Sequence, residues 1–158
     1  MPGRFLGSEE YDEQAHKLYS DGDYDGALQV LKEGLSLYPN AIDLNIGLGY
    51  ARLAREEYAW ARRAFERASA LDDSNEDALV GLGETLLRFG ERQEALALFE
   101  RVAVAGYDHD TELMLTMGRA LYREALYSEC RDIFAQASAA RPDSADAAAS
   151  LGYALRQL

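Results

Sequence analysis

The feature that most constrains this chain is its self-similarity. Copies of one spelling start near Ser8, Ile42, Glu76, Thr111 and Ala145. That spacing is about 34 residues, the period of a helix–turn–helix repeat. The clearest copy carries Leu48-Gly49, then Ala61, Phe65 and Ala68 on a second apolar-periodic segment. It returns as Leu82-Gly83 with Ala95 and Phe99, and as Met117-Gly118 with Cys130, Phe134 and Ala137. A weaker copy comes first, with Ala15, Ala27, Leu31 and Pro39, and a half copy last, with Leu151-Gly152. One helix pair leaves apolar faces open, so successive pairs must stack to bury them.

Small residues at fixed offsets sharpen the pattern. Gly49, Gly83 and Gly118 lie in the middle of predicted helices, where Gly costs about 1 kcal/mol against Ala. Close approach of a second helix explains why they are kept, and Ala27, Ala61, Ala95 and Cys130 are small for the same reason. In these residues the chain resembles the tetratricopeptide repeat family from Ser8 to Leu158. It departs from that family in three ways. No copy has the usual Trp in its first helix, and Asp73 stands where the second copy would close on Pro. The third copy runs one residue long through Ala105-Gly106-Tyr107-Asp108-His109-Asp110, which skews its junction with the fourth.

The resemblance implies an all-α fold, a right-handed solenoid of four helix-turn-helix repeats with a C-terminal capping helix. The repeats are residues 8–41, 42–75, 76–110 and 111–144, the capping helix is 145–158, and 1–7 forms a loose arm. Glu10, Gln14 and Lys17 occupy places held by Leu44, Leu48 and Ala51 in the next copy. Polar residues there mark a face with no preceding repeat, so none is expected upstream.

Charge and composition exclude several functions. A formal net charge of −12 repels phosphate backbones, so nucleic acid is not an expected partner. The single Cys rules out a disulfide framework within the chain. No apolar run approaches the roughly 20 residues of a membrane span, and MPGRFLGSEE has no signal-peptide core. A cytoplasmic protein without membrane insertion is expected.

Candidate chemistry is sparse. Asp21-Gly22-Asp23-Tyr24-Asp25-Gly26 opens like an EF-hand loop, but the twelfth place, which needs a bidentate Glu, is Lys32. His16 and His109 sit in separate copies without zinc-ligand spacing. Cys130 takes the place of a packing Ala and reads as a buried small hydrophobe. With no phosphate loop, nucleophile elbow or carboxylate pair, the expectation is no enzyme, no cofactor and no metal. Trp60 faces outward early in a second helix, with Tyr58 two residues before it. These two form a secondary surface for a partner, unless the Trp60 ring lies along the Arg63 or Arg67 side chain.

In the resembled family the first helices line a concave groove that holds peptides or helices. Its contact places carry over here as a graded surface. In the first two copies they are His16, Ile46, Tyr50 and Leu53. The third contributes Val80, Glu84, Leu87 and Arg88, the fourth Leu115, Arg119, Tyr122 and Arg123, and the last helix Tyr153 and Arg156. The aliphatic and aromatic members are expected to form an exposed floor. The carboxylate clamp of chaperone-binding relatives is missing, since its places hold Asp12, His16, Tyr50 and Glu84.

The expected function is therefore a non-enzymatic adaptor or scaffold that binds a peptide or helix of another protein. Two alternatives stand beside it: a small acidic chaperone shielding an apolar client segment, and a self-assembling structural subunit. In the last helix Ala148, Gly152 and Leu155 face the place where a partner helix would lie. Weak homodimer formation through that helix is expected.

Overall fold

A computed structural model of the chain describes residues 6–104 and 110–158. Among these the elements are α1 (Ser8–Ser20), α2 (Tyr24–Leu37), α3 (Ile42–Ala54), α4 (Tyr58–Leu71), α5 (Glu76–Arg88), α6 (Arg92–Val104), α7 (Thr111–Arg123), α8 (Tyr127–Ala140) and α9 (Ala145–Arg156). The arm before Leu6, the long junction at 105–109 and His109 lie outside the described residues. The chain divides into two compact units, Met1–Thr85 and Leu86–Leu158, with the division inside α5.

Each pair turns in the same way. Gly22 (φ +82°) and Gly90 (φ +78°) adopt the left-handed conformation that ends a helix. The same register holds Glu56 (φ 61°) and Ala125 (φ 60°), which carry a side chain into a conformation that favours glycine. The closing hydrogen bonds are alike throughout. Asp23 N–H donates to Leu18 C=O at 2.9 Å, Glu57 to Arg52 at 2.9 Å, and Leu126 to Leu121 at 3.0 Å. The next helix starts on a side-chain cap in several copies: Asp23 accepts from Gly26 N–H at 2.9 Å, Asn75 from Ala78 at 3.0 Å, and Ser144 from Ala147 at 3.2 Å. The Asp23 carboxylate of the EF-hand-like stretch is thus a helix cap, and Asp25 pairs with Arg55. At the N-terminus Gly7 is the capping residue, and Glu10 Oε1 accepts from Gly7 N–H at 3.4 Å.

In the first unit α1 packs on α2 and α3, α2 on α3, and α3 on α4. Leu28, Leu31 and Leu44 form one cluster, with Tyr11 and Tyr38 against it. Phe65 centres the next, among Ile46, Ala61, Ala68 and Ala78. A Cβ on Gly49 would lie 2.7 Å from the Phe65 ring, and one on Gly81 2.2 Å from it. The mid-helix glycines therefore make room for a phenylalanine of the second helix. In the second unit α7 packs on α8, α8 on α9, and α7 lies beside α9. Gly118 repeats the arrangement, since its Cβ would meet Phe134 at 2.3 Å. The small residues opposite, Ala27, Ala61, Ala95 and Cys130, are all fully buried.

The faces distinguished by sequence separate as expected in exposure. Lys17 is exposed where Ala51 and Ala120 are buried, Gln14 is exposed where Leu48 is half-buried and Met117 buried, and Glu10 is half-buried where Leu44 and Leu113 are buried. Among the described residues no helix is long and apolar enough to cross a membrane.

Candidate functional site

The expected floor of aliphatic side chains is not a surface. Leu115 is 1% exposed, Leu87 2%, Val80 0% and Ile46 9%. The reason is helical spacing. Ile46 and Leu115 each lie three residues before the glycine that faces a phenylalanine, so they share its face and point into the core. Ile46 belongs to the Phe65 cluster, and Leu53 and Tyr50 pack against it partly buried. Glu84 is buried as well.

Tyr50 is built into the first unit rather than offered to a ligand. Its ring stands edge-on to Phe65, with centroids 5.0 Å apart at 81°. Burial pushes the phenol well above its usual value, and the Glu84 and Asp77 carboxylates and Tyr19 push the same way. The hydroxyl therefore stays neutral. His16 is exposed on α1.

In the second unit the structure brings predicted residues together. Arg119, Tyr122 and Arg123 from α7 and Tyr153 from α9 line one cavity of about 440 Å³. Phe134, only 2% exposed, and Ser150 also border it. Sequence reasoning had placed Phe134 only in the core and had not singled out Ser150. The signal for both was a break in the repeat: the place of Tyr50 holds Arg119 in α7, and the place of Gly81 holds Ser150 in α9.

The rim is held by local contacts. Tyr122 stands edge-on to Tyr127 at 5.3 Å, and its hydroxyl accepts from Gln157 Nε2 at 3.3 Å. Arg156 lies over the Tyr153 ring at 5.0 Å, while Tyr153 remains 54% exposed. Arg123 Nε donates to the Arg119 carbonyl at 3.4 Å. Arg88, at the end of α5, faces Glu124 at 3.8 Å. The cavity thus joins an aromatic interior to an edge of guanidinium groups.

The remaining candidates have structural settings. Trp60 is 53% exposed, with the guanidinium groups of Arg52 and Arg63 at 5.4 and 5.3 Å from its ring. Arg67, the other proposed neighbour, donates instead to Asn40 Oδ1 at 2.8 Å. Tyr58 is partly buried. Cys130 is buried, which pushes its thiol up and away from nucleophilic use. In the first unit a second cavity of about 370 Å³ is lined by Glu9, Asp12 and Asp43, among others. Burial raises the Asp12 carboxyl above its usual value, and Asp43 adds to the shift. Among the described residues no group of His, Cys, Asp or Glu side chains is arranged to hold a metal ion. In α9, Ala148 and Gly152 are exposed and Leu155 is 51% exposed.

Comparison with known proteins places this geometry. The chain is 34% identical over 93 residues to the cellulose synthase operon protein C of Xanthomonas axonopodis pv. citri (strain 306). The match takes in 59% of the chain and only 6% of that much longer relative. Among solved structures, MamA from Desulfovibrio magneticus RS-1 is similar in fold, with a TM-score of 0.68 at 20% identity over 95% of this chain and 85% of that one. YrrB, described as a TPR protein with an unusual peptide-binding site, aligns with a TM-score of 0.61 at 27% identity. That alignment covers 92% of this chain and 75% of YrrB. The sequence profile of the tetratricopeptide repeat matches residues 52–108 and 89–152. With these matches and its repeated helical pairs, the chain belongs to the tetratricopeptide repeat family.

Proposed function

We propose that the chain is a non-enzymatic adaptor that holds a segment of another protein against the α7–α9 face. Tetratricopeptide repeats stack into scaffolds whose surfaces bind other proteins, and the family membership supports that general role. One observation carries the narrower reading: Arg119, Tyr122, Arg123 and Tyr153 converge on one open cavity. Half-exposed tyrosines and arginines are the residue types that anchor protein interfaces. The peptide-binding site named for YrrB supports the same kind of ligand. The lining carries arginines, tyrosines, a phenylalanine and a serine, with no His, Cys, Asp or Glu placed for acid–base chemistry.

Affinity capture with three proteins tests this: the wild type, an Arg119→Glu/Tyr153→Ala variant and a Trp60→Ala control. The expected result is a set of proteins retained by the wild type and the control but lost from the α7–α9 variant. Equal capture by all three, or no capture, contradicts the proposal.

A further inference from the structure

On a chain with 28 acidic and 16 basic residues, an arginine without an acidic neighbour is unexpected. Arg52 pairs with Glu57, Arg55 with Asp25, Arg62 with Glu66, Arg131 with Asp132 and Arg141 with Asp143. At the α7–α9 cavity this pairing stops. No Asp or Glu lines it, and among the described residues neither Arg119 nor Arg156 has a carboxylate within ion-pair distance. In the contact between Arg119 and Arg123 it is the Arg119 backbone carbonyl that accepts, so its exposed guanidinium keeps its donors for other partners. Arg156 lies over the Tyr153 ring, a contact that leaves the edge of the guanidinium open to hydrogen bonding. Arg123 and Arg156 stand in the last turns of α7 and α9, where a cation complements the helix dipole. Arg119 lies one turn earlier, beyond the reach of that explanation.

We propose that this edge of the cavity takes an acidic segment of a partner protein, whose carboxylates pair with Arg119 and Arg156. The proposal rests on the adaptor reading above and names the ligand chemistry. Charge complementarity carries it. The partner supplies the acids that the chain withholds from these two arginines, and each planar guanidinium can grip a carboxylate through paired hydrogen bonds. The background field confines the segment. Residues 1–85 hold seventeen acidic and eight basic residues, whereas residues 86–158 hold eleven and eight. An acidic segment is therefore repelled most by the first unit and least by the second. Within the second unit, the unpaired arginines steer its approach and set its register.

The test uses the full chain and a labelled peptide, Gly-Ser-Glu-Asp-Glu-Asp-Ser-Gly, followed by fluorescence anisotropy. A second peptide has Gln and Asn for the acidic residues. The acidic peptide is expected to bind more tightly than the neutral one, and to weaken steeply as salt is added. Arg119→Gln/Arg156→Gln should lower its affinity roughly tenfold, as the loss of two exposed charge pairs implies. Arg131→Gln/Arg141→Gln removes the same charge from arginines that already have acidic partners, and should leave the affinity close to that of the wild type. Equal affinity for the acidic and neutral peptides, or no binding of either, overturns the proposal. An equal loss in the two double variants also overturns it, since net charge alone would then explain the binding. A labelled single-stranded oligonucleotide bound more tightly than the peptide, or an Arg119-dependent dimer seen by light scattering, assigns the arginines to another occupant and overturns it too. Failure of the adaptor reading is separate, because it is read by protein capture rather than by these peptides.

Discussion

Gly118 and Gly152 occupy the same register of successive copies, yet the structure predicts opposite responses to the same substitution. Both lie inside helices, α7 and α9, where Gly→Ala should stabilise by about 1 kcal/mol through propensity alone. A Cβ on Gly118 would lie 2.3 Å from Cε1 and 2.7 Å from Cδ1 of Phe134, closer than carbon atoms can sit. A Cβ on Gly152 meets nothing within 4 Å. The propensity gain is common to both variants and cancels in their difference. What remains is the overpacking cost at Gly118, about 1–3 kcal/mol. Gly152→Ala is therefore expected to raise the urea midpoint and Gly118→Ala to lie below it by that difference, with m unchanged. Phe134→Leu in the Gly118→Ala background should recover part of the loss, which a double-mutant cycle isolates. Equal stabilisation by the two alanine variants would refute the close-approach reasoning, as would a loss at Gly118 that is indifferent to residue 134.

Further predictions follow from the turns, the acidic cavity and the last helix. Ala125→Gly relieves a left-handed alanine (φ 60°) and should stabilise by roughly 1 kcal/mol in thermal unfolding; an unchanged or lower Tm contradicts the assignment. Asp12 has its folded carboxyl above the ordinary 3.8, chiefly from burial and then from Asp43, so the folded state holds its proton more tightly. Its contribution opposes folding at neutral pH and fades as pH falls through the folded value to the unfolded one. Asp12→Asn should thus raise Tm near neutral pH and lose that advantage below the ordinary carboxylate value; a pH-independent gain would refute it. Leu155, half exposed beside Gly152 and Ala148, should support weak two-fold association by light scattering over a dilution series. Leu155→Lys should abolish it, and a mass unaffected by either dilution or the substitution would refute it.

The repeats were legible because their signal is written many times. Each copy supplies its own small residues, turn and apolar stripe, and Gly22 and Gly90 mark helix ends that the other copies make without glycine. Depth was less legible. Family contact places state which turn of a helix a residue occupies, not how far neighbouring side chains bury it. Leu115 was expected at the surface, yet it shares a face with Gly118 and so lies in the core. The cavity was hidden for a related reason. It gathers Arg119 and Tyr122 of α7 with Ser150 and Tyr153 of α9, residues of different copies that no single motif joins.

The central claim is that partner binding occurs at the α7–α9 face. Amide and aromatic NMR shifts of the labelled full chain, recorded as a captured partner segment is added, test it most directly. The account predicts that perturbations concentrate at Arg119, Tyr122, Ser150 and Tyr153, with the Trp60 indole unchanged. Perturbations centred on Trp60 or on α1, with α7 and α9 silent, would contradict it.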